Sequence, residues 1–201
     1  MNPVVNYQEL ERTHILCTAR ELVGHSGWQV VQLEDVLRHA GVCDRSFRRH
    51  FSCLDSLFSE LLADELRSAA RQLRHAAMPG KRPIERVLSY TATMIDYAYP
   101  VERRGRASAL ATIWLERSGH HVDQNDALVD ELIEPLREAI HAGCRTGEMS
   151  SQCPDDDSQS IFHLVTGVIL TQAALGRHAV PEHLKEATMD AVAHALGFTE
   201  Q

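Results

Sequence analysis

Residues 33–51 read Leu-Glu-Asp-Val-Leu-Arg-His-Ala-Gly-Val-Cys-Asp-Arg-Ser-Phe-Arg-Arg-His-Phe. Two short helices are expected, from about Leu33 to Ala40 and from Asp44 to Phe51, separated by Gly41-Val42-Cys43. Gly41 suits the left-handed conformation that so tight a turn requires. Two helices joined in this way have the geometry of a helix-turn-helix, whose second helix enters the major groove of DNA. Val36, Ala40, Val42 and Phe47 then pack inward against Ile15, Ala19 and Leu22 of a preceding helix. Arg45, Ser46, Arg48, Arg49 and His50 are left facing outward as donors, Arg45 near the helix start towards base edges and Arg48 and Arg49 towards phosphates.

Working outward, apolar residues at Ile15, Ala19, Leu22 and Val23 recur at helical spacing and stop at Ser26-Gly27, giving a helix over about Tyr7 to His25. Leu54, Leu57, Phe58, Leu61, Leu62, Leu66, Ala69, Ala70 and Leu73 mark a long helix that ends before Pro79-Gly80, the clearest joint in the chain. Beyond it, helices are expected at about 83–99, 103–118, 123–146, 155–175 and 181–196. Pro83, Pro154 and Pro181 sit where first-turn prolines belong, and Pro135 should kink the helix that contains it. No segment alternates apolar and polar residues long enough for a sheet. The fold class is therefore all-α: a three-helix, helix-turn-helix head over residues 1–53 and a helical-bundle body over 54–201.

The 201-residue length suffices for a sizeable core,. With 44% hydrophobic and 24% charged residues the chain is neither disordered nor fibrous,. It has no apolar run of membrane-spanning length and no basic-then-apolar start, so a cytoplasmic protein with no membrane partner is expected. Five cysteines without a CxxC pair fit reduced thiols,. The formal net charge of −8 argues against nucleic acid until it is mapped. Ten acidic residues between Asp123 and Asp157, against Arg137 and Arg145, account for the whole imbalance. Arg38, Arg45, Arg48 and Arg49 face only Asp44 in the stretch from Arg38 to His50. Because salt screens charge beyond about 8 Å, this local balance governs phosphate attraction.

The head is similar to that of the TetR family of transcriptional regulators. The residues that carry the resemblance are Gly27-Trp28 after the first helix, Val36 through Ala40-Gly41-Val42, Phe47, His50-Phe51, and Leu57 in the fourth helix. The likeness spans about residues 10–60; the body is similar only in helix count, length and the position of its last two helices. Three departures stand out. Val31-Gln32 replaces the family's threonines at the start of the second helix, Arg48 replaces a tyrosine, and Leu54 replaces a lysine. Gln32 and Arg48 can still donate to phosphate, whereas Leu54 cannot. The resemblance implies a homodimer on a palindromic double-stranded operator, most simply a repressor released by a small-molecule effector.

In the body, Tyr90, Thr93, Met94 and Tyr97 form one stripe, and Leu110, Ile113, Trp114 and Arg117 another. Such stripes serve ordinary cores, but in the resembled family the corresponding helices enclose an effector cavity. On that reading Tyr90, Thr93, Met94, Tyr97, Leu110 and Trp114 line it. Ile161, Leu164, Val165 and Val168, with Leu184, Thr188, Ala191 and Val192, follow i, i+3, i+4 spacing on the last two helices. They suit an intersubunit four-helix bundle, as in the family's dimers, as well as the monomer's own core.

No glycine-rich phosphate loop, nucleophile elbow or HExxH is present, so no enzyme activity and no cofactor are expected. His120, His121 and Asp123 with His141 offer a metal alternative, and adjacent histidines in a helix connection are ordinarily solvated; no metal site is assigned. Cys43 and Cys53 flank the recognition helix, and Cys144 and Cys153 flank a loop; small buried thiols account for them most simply. The competing reading is a metal- or thiol-sensing helical protein that has lost DNA binding.

Overall fold

A computed structural model describes residues 7–27, 30–78, 82–99, 122–177 and 179–198, the side chains of 122–126 excepted. It shows α1 (Tyr7–Ser26), α2 (Leu33–Ala40), α3 (Asp44–His50), α4 (Leu54–Ala76), α5 (Pro83–Ala98), α6 (Val122–Thr146), α7 (Pro154–Ala174) and α8 (Glu182–Ala195), with no strand among the described residues. The all-α architecture is thus observed. The expected helix over 103–118 lies outside the described residues.

The chain divides into two compact units, Met1–Asp64 and Glu65–Gln201. The division falls inside α4, later than the residue-53 boundary expected from sequence. The reason is packing: Leu57, Phe58 and Leu61 belong to the head's core, whereas Ala69, Ala70 and Leu73 belong to that of the body.

The head's core is built from Ile15, Leu16 and Ala19 of α1, Val36 and Ala40 of α2, Phe47 of α3, and Val31, Phe51, Leu57, Phe58 and Leu61. Val42 and Leu22 pack at its edge. Helix α2 begins at Gln32, whose backbone N–H donates to the Asp35 carboxylate (3.2 Å), satisfying one of the donors a helix start leaves open,. It ends at Gly41, with φ 64° and ψ 28°. The N–H of Val42 then reaches back to the Leu37 carbonyl at 3.1 Å, closing the helix end and turning the chain into α3.

In the body, α5 packs against α6, α7 and α8, and α6 packs against α7. Tyr90, Val87, Leu136, Ala139, Ile140, Val165 and Val192 are fully buried there. Pro83 and Pro154 occupy helix starts as the sequence suggests, and α6 runs unbroken through the buried Pro135. After α6, the N–H groups of Glu148 and Met149 both bond to the Gly143 carbonyl (3.0 and 3.2 Å). The Met149 side chain then lies so close to Gly143 that a Cβ there would fall 2.5 Å from its sulfur.

A Cβ on Gly41 would meet no atom within 4 Å, so the whole effect of Gly41→Ala should come from its positive φ. A loss of about 1–2 kcal/mol is expected, and Gly41→Asn should lose less because asparagine tolerates this region. Denaturant unfolding of the three proteins measures it; an alanine variant as stable as wild type would contradict the left-handed turn.

Candidate nucleic-acid interface

Helix α3 has seven residues and one fully buried side chain, Phe47, whose ring lies 5.5 Å from that of Phe51. With Phe47 inward, Arg45, Arg48 and Arg49 are exposed. Asp44 stands in the first turn and Arg48, Arg49 and His50 in the last, the arrangement the helix dipole favours,.

These basic side chains differ in what already holds them. Arg48 Nε donates to Asp44 at 2.7 Å, with both partners more than half exposed, and its Nη1 reaches the Ser52 carbonyl at 3.4 Å. Arg49 donates to Ser46 Oγ at 2.6 Å and lies 3.5 Å from the Glu11 carboxylate on α1. Arg45 is exposed and pairs with no carboxylate of the described residues.

His50 requires a correction. Its side chain is 7% exposed, and Nε2 meets the Glu11 carboxylate at 2.8 Å, so it is turned into the head instead of outward. Glu11, which the sequence reading did not single out, ties the end of α3 to α1. The hydrogen bond from His50 is the main reason its carboxyl is held below the usual range, with the Ser46 hydroxyl and the Arg49 charge adding to it. Ser46 is half-buried and engaged by Arg49. The Gln32 side chain at the start of α2 is exposed.

The cysteines also depart from expectation. Cys17, Cys43, Cys53 and Cys153 are exposed and Cys144 is half-buried. Cys43 caps α3 and Cys53 directly precedes α4, positions where a side chain faces the open helix start. Backbone N–H groups of Ser46 and Ser56, respectively, lower these two thiols, whereas Asp156 raises that of Cys153.

In the body, Tyr90 is fully buried and its hydroxyl donates to the Leu132 carbonyl at 2.8 Å. Burial pushes its phenol far up. It is a satisfied core residue with no polar group left for a ligand. Tyr97 is half-buried and donates to the Glu65 carbonyl at 3.1 Å; Thr93 and Met94 are half-buried. Leu110 and Trp114 lie outside the described residues. An open cavity of about 430 Å³ is formed by Arg86 of α5 and by Glu134, Arg137, Glu138, His141, Ala142 and Arg145 of α6. Arg137, His141 and Arg145 stand at i, i+4 and i+8, a spacing that exposes this face to a sequence reader.

The stripes on α7 and α8 are split by burial. Ile161, Val165, Thr188 and Val192 belong to this chain's own interior. Leu164 (44% exposed) and Ala191 face outward, with Val168 and Leu184 half-buried. Leu164, Gly167, Thr171 and Leu175 continue the exposed face of α7 and its end, Leu175 being 63% exposed.

Among the described residues no group of three or more His, Cys, Asp or Glu can hold a metal ion. His141 meets Asp155 at 3.3 Å; His120, His121 and the Asp123 side chain lie outside the described residues. No described helix is long and apolar enough to cross a membrane.

No protein-family model and no curated protein matches the sequence. Solved structures do match the fold. A protein of Saccharomonospora viridis described as a transcriptional regulator, in complex with choline, superposes with a TM-score of 0.77 at 19% identity, over 92% of this chain and 97% of that one. A protein of Mesorhizobium loti described as a TetR-family transcriptional regulator gives 0.74 at 10% identity, over 94% and 98%. E. coli NemR in its reduced form gives 0.72 at 18%, over 92% and 95%. With a Gly41-turned helix pair in the head, an α-helical body and near end-to-end coverage of such structures, the chain has the fold of the TetR family of transcriptional regulators.

Proposed function

We propose that this chain is a DNA-binding transcriptional regulator, acting as a homodimeric repressor that a small molecule releases from a palindromic operator, and that it does no covalent chemistry. The observation that carries the reading is α3 itself, anchored by Phe47 on one side and presenting exposed Arg45, Arg48 and Arg49 on the other. Arg45, unpaired by any described carboxylate, is the side chain freest to reach base edges. Arg48 and Arg49 exchange their carboxylate partners for phosphates. Exposed ion pairs are worth only about 0–1 kcal/mol, so that exchange is feasible, and Gln32 at the start of α2 adds a further phosphate donor.

A dimer suits this role because two heads must meet successive major grooves about 34–36 Å apart. The residues left exposed or half-buried on α7 and α8, Leu164, Gly167, Val168, Leu184 and Ala191, support a second copy as partner. Effector binding would act through α4, which contributes to the cores of both units. Since Tyr90 is spent on Leu132, Thr93, Met94 and Tyr97, with Leu110 and Trp114, remain the proposed effector contacts. Choline is what one structural neighbour holds; the effector of this chain is set by its own residues.

Selection of bound sequences from a random DNA pool tests the reading as a whole, and a palindromic motif is the expected result. On that motif, Arg45→Ala should cost about 1–3 kcal/mol and relax one position, whereas Arg48→Ala should weaken all sequences and flatten the salt dependence. Asp44→Asn should do the opposite, strengthening binding severalfold by freeing Arg48 and removing a charge that repels phosphate. Unchanged affinity and salt slope in all three would remove α3 as the reading helix.

Sedimentation tests the dimer. Leu164→Glu or Ala191→Arg should convert it to monomer, because an unpaired charge buried in an apolar interface costs several kcal/mol. Both positions are exposed in the single chain, so the monomer should remain folded. A dimer that persists in both variants places the interface elsewhere.

A further inference from the structure

Arg86 is the one charged residue among the buried described residues, 8% exposed. Burying a guanidinium is costly unless its charge and its donors are met. Its Nε donates to the Ala77 carbonyl just past the end of α4 at 2.8 Å, which uses one of five N–H donors. No carboxylate of the described residues pairs with it. The side chain borders the open cavity of about 430 Å³ on α5 and α6.

The other charges around that cavity are unequally committed. Arg137 is held by Glu134, by Asp130 at 3.5 Å and by Asp155 at 3.3 Å, so its charge is already met within the protein. His141 meets Asp155. What remains is Arg86 below, exposed Arg145 at the rim and exposed Glu138, with Ala142 as the sole apolar lining residue. Arg86 and Arg145 are thus the lining guanidinium groups that no described carboxylate engages, and their N–H donors suit an oxyanion,. The volume falls within the range of about 300–1,000 Å³ typical of small-molecule sites and exceeds the needs of a bare ion.

We propose that this cavity is a binding site for a small polar metabolite carrying an oxyanion, a carboxylate or a phosphate, gripped by the free nitrogens of Arg86 and steadied by Arg145. A guanidinium fork offers two parallel N–H donors to either group. The site is separate from the Tyr90 stripe and does not depend on the DNA-binding reading.

The test is calorimetric titration of the 201-residue chain with succinate and with inorganic phosphate, at an ionic strength held constant with chloride. Saturable binding of at least one anion is expected. Succinate alone would mark an organic acid as the natural ligand class, phosphate alone a phosphate ester, and both an oxyanion site without preference. Arg86→Lys, which keeps the charge but loses the fork, and Arg145→Ala should each weaken binding about tenfold. Glu138→Gln should tighten it about threefold by removing a nearby negative charge. Arg145 and Glu138 are exposed, so their variants fold whatever Arg86→Lys does. Binding of neither anion beyond the chloride control, or affinities unchanged in both Arg145→Ala and Glu138→Gln, would overturn the proposal.

Discussion

The burial of one ring, Phe47, is the constraint on which the head depends. A helix of seven residues has too few internal hydrogen bonds to offset the cost of nucleation and does not persist alone in water. Here α3 is held because Phe47 sits fully buried among Ile15, Ala19, Val36 and Leu57, and because Gly41 fixes the angle at which the chain enters it. That single inward anchor also fixes the helix rotation. Once Phe47 points in, Arg45, Arg48 and Arg49 point out, so the packing of the core and the display of the donors are one geometric fact.

Much of this was legible because it rests on local signals. The helix period around Ile15, Ala19 and Leu22, the glycine at 41 and the first-turn prolines at 83 and 154 each act over a few residues, and the helices they mark begin and end within a residue or so of expectation. What was not legible depends on residues far apart in sequence. His50 carries the same donors as its arginine neighbours, yet Glu11, 39 positions away, draws it into the head. Tyr90 has the look of a ligand contact until the Leu132 carbonyl, 42 positions on, is seen to take its hydroxyl. On α7 and α8 the periodicity identified apolar faces correctly but could not divide Val165, which faces this chain's core, from Leu164, which faces away.

The charge distribution follows the same logic. The body carries the excess of carboxylates, while the α3 surface is locally basic but largely self-compensated through Asp44 and Glu11. Such compensation keeps a short, charge-dense helix from repelling itself in the free protein. It also means that any anion reaching Arg48 or Arg49 must compete with carboxylates already in place.

A fold of this kind constrains its sequence at few positions, for a physical reason. The head's geometry is specified by volume and polarity at the positions now held by Ile15, Ala19, Val36, Ala40, Phe47 and Leu57, and cores accept hydrophobic exchange when volume and pattern are kept. In the body even less is fixed, since a helical bundle needs only apolar residues at roughly the right spacing. Where identity is strongly dictated it is by backbone conformation, as at Gly41, or by close approach, as at Gly143 beneath Met149. The exposed positions that would carry operator and ligand preference, Arg45 in the head and Arg145 in the body among them, lie outside these constraints. Their identities are free to change without disturbing the fold that presents them.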